Sequence, residues 1–98
     1  MEKNKCFFTM RDIRQAVEDV GGHWFDKDTM RFFNSRVLPT VYKGQYFISS
    51  EKENWNDKRK YTIRKIDLAT HSIETVGEFM GFNSQGTART EIKRLPSP

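Results

Sequence analysis

The chain has 98 residues, 36% of them hydrophobic, with seventeen Lys and Arg against thirteen Asp and Glu, a formal net charge of +4 and a pI near 9.4. That length holds one small core and excludes a second, so residues 1–98 are read as a single domain. The charge excludes mimicry of nucleic acid, which needs clustered carboxylates, whereas the acids here are scattered among bases.

The one cysteine, Cys6, cannot close an intramolecular disulfide, which fits a reducing compartment. No run approaches the roughly 18 apolar residues of a membrane span. The start "MEKNKCFFTM" also lacks the apolar stretch of about 7 to 15 residues that marks a secretory signal. A soluble, untargeted protein of the cytoplasm is expected. Eight Phe, two Trp and three Tyr, each able to bury roughly 150 to 250 Å², predict a core built on aromatic rings.

In chain order, "TMRDIRQAVEDVGG" places Ile13, Ala16, Val17 and Val20 at helical spacing, with Thr9 as N-cap, Asp12 three residues on, and Gly21 and Gly22 as the stop. "FDKDTMRFFNSRV" predicts a second, short helix over about Lys27 to Ser35, capped by Asp26 with Thr29 three positions later. "VLPTVY" and "QYFISS" then read as strands around a turn at Lys43 and Gly44, giving a hairpin over Val41 to Ser50. Pro39 has no amide hydrogen for a ladder, which puts the first strand at the sheet margin. After the polar connection "EKENWNDKRK" come the strand "YTIRKIDL", the turn "ATHS" and the strand "IETVGEFMGF". A closing helix over residues 86 to 95 has Ala88, Ile92 and Leu95 on one face, Ser84 as cap, and Lys93 and Arg94 in its last turn. The class is α+β: two N-terminal helices, an antiparallel meander of about four strands and a C-terminal helix.

Chemistry-bearing patterns are sparse. Cys6, His23, Asp26, Asp28 and His71 match no zinc spacing, and "HWFDKD", where His23, Asp26 and Asp28 come close, is accounted for without an ion as a loop histidine followed by capping aspartates, so no metal is expected. No glycine elbow or phosphate loop frames a nucleophile, so neither enzymatic activity nor a cofactor is expected. The basic stretch "DKRKYTIRK" has the make-up of a phosphate-tracking strand, with Lys58, Arg59, Lys60, Arg64 and Lys65 beside Tyr61 as a stacking ring. Its plainer reading is a charged loop entering an amphipathic strand.

"MRFFNSRV" is the densest arginine and aromatic cluster. Adjacent rings cannot share one helix face, so Phe33 with Met30 is assigned to the core, and Arg31, Phe32, Asn34 and Arg36 to a partner-binding surface. The plainer alternative pairs Arg31 and Arg36 with Glu51, Glu53 or Asp57.

Four blocks, "GHWFDKDTMRFFNSRV", "YFISSE", "RKYTIRKID" and "IETVGEFMGFNSQGTARTEIKRL", carry a resemblance to a group of small bacteriophage and prophage proteins, over roughly residues 22 to 95 and leaving the first helix outside. Asp26 and Lys27 stand where similar proteins have Ser-Pro, another way to start a helix. The resemblance implies a phage or mobile-element origin and a shared fold, and carries no activity with it. On that footing the expected function is an accessory protein that binds a macromolecular partner in the bacterial host cytoplasm. The leading form is an inhibitor of a defence system, such as an anti-CRISPR protein acting by protein contact. The alternative is a small nucleic-acid-binding protein using residues 58 to 65, and a structural or packaging component stands third.

Overall fold

The structure is a computed structural model that describes residues 6–32, 34–54 and 56–97, with the backbone alone at residue 32. The assignments of the Phe32 and Phe33 rings therefore lie outside the described residues.

Helix α1 (Met10–Asp19) begins where Thr9 accepts a hydrogen bond from the Asp12 amide at 3.2 Å. It ends in a Schellman motif: Gly22 N–H reaches Val17 O, Gly21 N–H reaches Glu18 O, and Gly21 takes a φ of 79° that a side chain would resist. Ile13, Ala16 and Val17 are buried, but Val20, the fourth member of the apolar series, is the C-cap residue and is 56% exposed.

Helix α2 (Lys27–Phe32) is shorter than its sequence pattern predicts. Asn34 stops it with a φ of 52°, and the bonds Ser35 N–H to Met30 O and Asn34 N–H to Arg31 O repeat the Schellman geometry with asparagine in the glycine position. Asp26 stands at the cap, its carbonyl accepting from Met30 N–H. Its carboxylate, however, hydrogen-bonds His23 Nδ1 at 2.8 Å and not the helix.

Four strands follow, β1 (Arg36–Val37), β2 (Tyr46–Glu51), β3 (Lys60–Ile66) and β4 (Ile73–Val76), in the antiparallel order β1-β2-β3-β4. This is the expected meander with β1 at the margin. Past Val37 the first strand is reduced by the Pro39 region to the bond Leu38 N–H to Ile48 O and a bridge between Tyr42 and Tyr46. Lys43 and Gly44, both at positive φ, make the turn. Asp67 shapes the β3–β4 turn by accepting from the amides of Ala69 and Thr70 at 2.8 and 2.9 Å. The strand expected over residues 73–82 is split: β4 ends at Val76, Gly77 and Met80 take positive φ, and the chain rejoins the sheet only at a bridge between Phe82 and Tyr61.

Helix α3 (Gln85–Ile92) is capped by Ser84, which accepts from Thr87 N–H. It stops before residues 93–95, whose turn bonds run from Arg94 to Glu91 and from Leu95 to Ile92.

Strand alternation gives the sheet two covered faces. On one, Phe47 and Ile66 pack against Ile13, Ala16 and Val17 of α1, with Trp24, Phe25, Val37 and Ile73 beside them. On the other, Tyr46, Ile48 and Ile63 pack against Ala88 and Ile92 of α3. The expected aromatic core is thus corrected. Ile13, Ile48, Ile63, Ile66 and Ile92 supply half of it, Phe47 and Tyr46 are the buried aromatics among the described residues, and Phe8 is 85% exposed. Branched isoleucines suit both positions, since they fill the pleated faces and the helix stripes laid on them.

Candidate partner-binding site

The α1 face of the sheet changes character halfway along. Beyond Phe47 and Ile66, the same alternation brings Ser49 and Glu51 of β2, Thr62 and Arg64 of β3, and Thr75 of β4 onto one surface. Glu51 is 0% exposed. One of its oxygens accepts from Thr62 Oγ1 at 2.7 Å, and the other accepts from Ser49 Oγ at 2.6 Å, Ser35 Oγ at 3.3 Å and Arg64 Nη2 at 3.2 Å.

Arg64, 8% exposed, also donates from Nε to Ser49 Oγ at 3.0 Å and from Nη1 to Thr75 Oγ1 at 2.5 Å. Burial pulls its pKa below the ordinary value, with the Glu51 carboxylate acting against that pull, and an arginine in such company stays charged. The guanidinium carbon lies 5.1 Å from the Trp24 ring and 5.2 Å from the Phe79 ring, within cation–π range of both.

A cavity of about 540 Å³ opens over this pair. Trp24, Met30 and Phe79 line it with apolar surface, Asp28, Thr29 and Ser35 with polar groups, and Arg64 from the sheet. Two irregular segments build it. The cap of α2 sets Met30 and Ser35 in place, and the 77–81 loop carries Phe79 out of the line of β4. Met80 N–H donates to Thr62 Oγ1 at 2.8 Å, which ties that loop to the same polar cluster. Phe79 remains 38% exposed.

Of the residues assigned from sequence to a partner surface, Arg31, Asn34 and Arg36 are exposed around the end of α2. The ion pairs offered as their plainer role are absent: Glu51 is taken by Arg64, Asp57 binds the Asn54 amide and side chain, and neither arginine has an ion pair among the described residues. The basic stretch does not stay together. Arg64 is buried under the groove, Tyr61 packs with the α3-side cluster, Lys60 donates to Asn83 Oδ1 at 3.0 Å, and Lys58 is exposed.

Arg59 turns back over the sheet margin. It donates to the Ser50 carbonyl at 3.0 Å, Ser50 Oγ at 2.8 Å and the Asn34 carbonyl at 2.9 Å. Burial lowers its pKa first, and the positive charge of Arg36 lowers it further. The two sequence candidates therefore meet at one edge, Asn34 and Arg36 from one and Arg59 from the other.

The family of unknown function DUF7447 matches residues 9–93. The chain belongs to this family. Unlike the four-block resemblance, the DUF7447 match takes in α1, so the helix that covers half of the groove-bearing face is part of the family unit. No curated protein and no solved structure matches the chain.

Trp24, Glu51, Arg64 in its buried role, and Phe79 are site residues that sequence reasoning missed, and Met30, assigned from sequence to the core, is instead a half-buried wall of the groove outside both core clusters. Period 2 in "YFISSE" does carry a signal, since it sets Glu51 on the face of Phe47 and Ser49 and so requires a buried partner. His23 and Asp26 meet through their hydrogen bond while Asp28 lines the groove, and no group of three metal-ligating side chains occurs among the described residues. Cys6 is exposed, and no described helix is long and apolar enough to cross a membrane.

Proposed function

We propose that the chain is a phage- or prophage-encoded accessory protein that binds a protein partner through the Trp24–Met30–Phe79 groove, and that it inhibits a bacterial defence nuclease in the manner of an anti-CRISPR protein. The observation that carries the reading is the half-covered sheet face. A fold that seals the rest of this face under α1 leaves Trp, Met, Phe and Arg around a preformed slot, the residue types enriched at the buried centre of protein interfaces. The slot is ordered before binding by the Glu51–Arg64 cluster, which lowers the cost of docking. Asp28, Thr29 and Ser35 supply the polar part of its lining.

The phage setting and the host cytoplasm rest on the four-block resemblance. The net charge of +4 favours docking on an acidic or apolar surface of the nuclease over imitation of its substrate. The protein acts in this reading by occupying a surface, with no covalent step.

The test is the plating efficiency of a nuclease-sensitive phage on bacteria that carry one defined nuclease defence and express this chain, run over a panel of such defences. Restored plating with one member of the panel, and co-elution of that nuclease with the purified protein at high salt, is the expected result. Full restriction across the panel overturns the reading.

A further inference from the structure

We propose that Arg36 and Arg59 form a site for a backbone phosphate of nucleic acid at the β1 margin of the sheet, separate from the groove. Both arginines are built from one residue. Arg36 is the cross-strand partner of Ser50, and Arg59 grips the carbonyl and hydroxyl of that same Ser50. Its third bond, to the Asn34 carbonyl, anchors it to the cap that ends α2. Three fixed acceptors hold the Arg59 guanidinium in one posture before any ligand arrives, and of its five N–H groups they leave Nε–H and one on Nη2 unspent. Arg36 is exposed and makes no hydrogen bond or ion pair among the described residues.

Two guanidinium groups at one place repel each other unless an anion lies between them. Among the described residues no carboxylate forms an ion pair with either guanidinium: Glu51 is committed to Arg64 on the opposite face and acts on Arg59 only through its charge, and Asp57 is committed to Asn54. A phosphodiester suits the gap, since its two non-ester oxygens can each accept from one guanidinium, a geometry arginine favours over lysine. A polymer is favoured over a single phosphate because the cations come from two chain segments at the same margin, Arg31 and Arg36 around the α2 cap and Lys58 and Arg59 before β3. No base-reading group is built here, so binding is independent of sequence. This site stands apart from the groove reading and does not depend on it.

The experiment is fluorescence anisotropy of a fluorescein-labelled single-stranded DNA of mixed sequence, titrated with the full chain at several salt concentrations. Binding that weakens with salt is expected, with the slope of log K against log salt falling by about one for each arginine replaced by glutamine. Arg36→Gln should weaken low-salt binding about tenfold, the loss of one charge-assisted contact. Arg36→Lys should keep the slope at reduced affinity, and inorganic tripolyphosphate should displace the DNA. Arg59→Gln also removes fold contacts, so Arg36→Gln, which removes no hydrogen bond or ion pair among the described residues, decides the matter. No binding by the wild type at low salt, an unchanged slope in Arg36→Gln, or tighter binding of a phosphopeptide than of DNA would each overturn the proposal.

Discussion

At the scale of single residues, the Glu51–Arg64 pair decides most. Both charges are removed from water, and every oxygen and nitrogen that carries them has a protein partner. Removing one member strands the other, so Glu51→Ala should cost about 3 to 5 kcal/mol in urea unfolding. The double replacement Glu51→Leu with Arg64→Met should recover most of that loss, because an apolar pair of similar volume leaves no buried charge. A loss in the double variant equal to the sum of the two single losses would show that the pair is not coupled.

Asp67 gives a pH prediction. Amide hydrogen bonds from Thr70 and then Ala69 hold its folded pKa below the ordinary 3.8. A depressed carboxylate pKa contributes stability above the unfolded value and loses it as pH falls through the folded value. Asp67→Asn should therefore melt below the wild type at neutral pH, with the gap closing as pH drops below 3.8. A gap constant with pH contradicts this. These residues were only partly legible in the sequence. Asp67 sits in an evident turn, whereas Arg64 looked like one more cation of a basic run. Its burial depends on register with β2, which pattern within one segment does not contain.

At the scale of elements, the terminating signals read well and the irregular ones did not. Gly21 ends α1 as its position predicts, and Lys43-Gly44 makes the turn. Asn34 and the 77–81 loop escaped, because a non-glycine residue at positive φ carries little sequence signal and because Met80 is held there by a distant partner, Thr62. Two glycines separate backbone conformation from crowding. A Cβ at Gly21 meets nothing within 4 Å, while one at Gly44 would lie 2.5 Å from Cys6 Cβ. Gly21→Ala should cost about 1 kcal/mol. Gly44→Ala should cost more and should loosen the Cys6–Phe8 segment, which is fastened by Phe7 N–H to Gly44 O at 2.8 Å. Thermal melts with amide exchange at residues 6–8 check both, and equal costs would refute the clash.

Lys43 explains itself at this scale too. Asparagine is the better turn residue, but Lys43 Nζ donates to the carbonyls of Lys93 and Leu95, just past the end of α3, where a cation also suits the helix dipole. Lys43→Asn should accordingly bring no gain in melting temperature, and a rise would mean that those contacts contribute nothing.

At the scale of the whole molecule, a four-stranded meander carries α3 on one face and α1 on the other, and α1 covers only the Phe47–Ile66 part of its face. The class and the order of elements followed from periodicity together with caps and turn residues. The groove did not, since it is assembled by Trp24, α2, Ser35, Arg64 of β3 and the 77–81 loop, which lie far apart in the chain. Its Met30 and Phe79 walls are partner-facing in this account and are not required to hold the fold. The most direct measurement is phage plating in the responding defence strain with Met30→Glu and Phe79→Glu, each first shown to melt within a few degrees of the wild type. Both folded variants are expected to lose protection and no longer to co-elute with the nuclease. Full protection by either folded variant would contradict this.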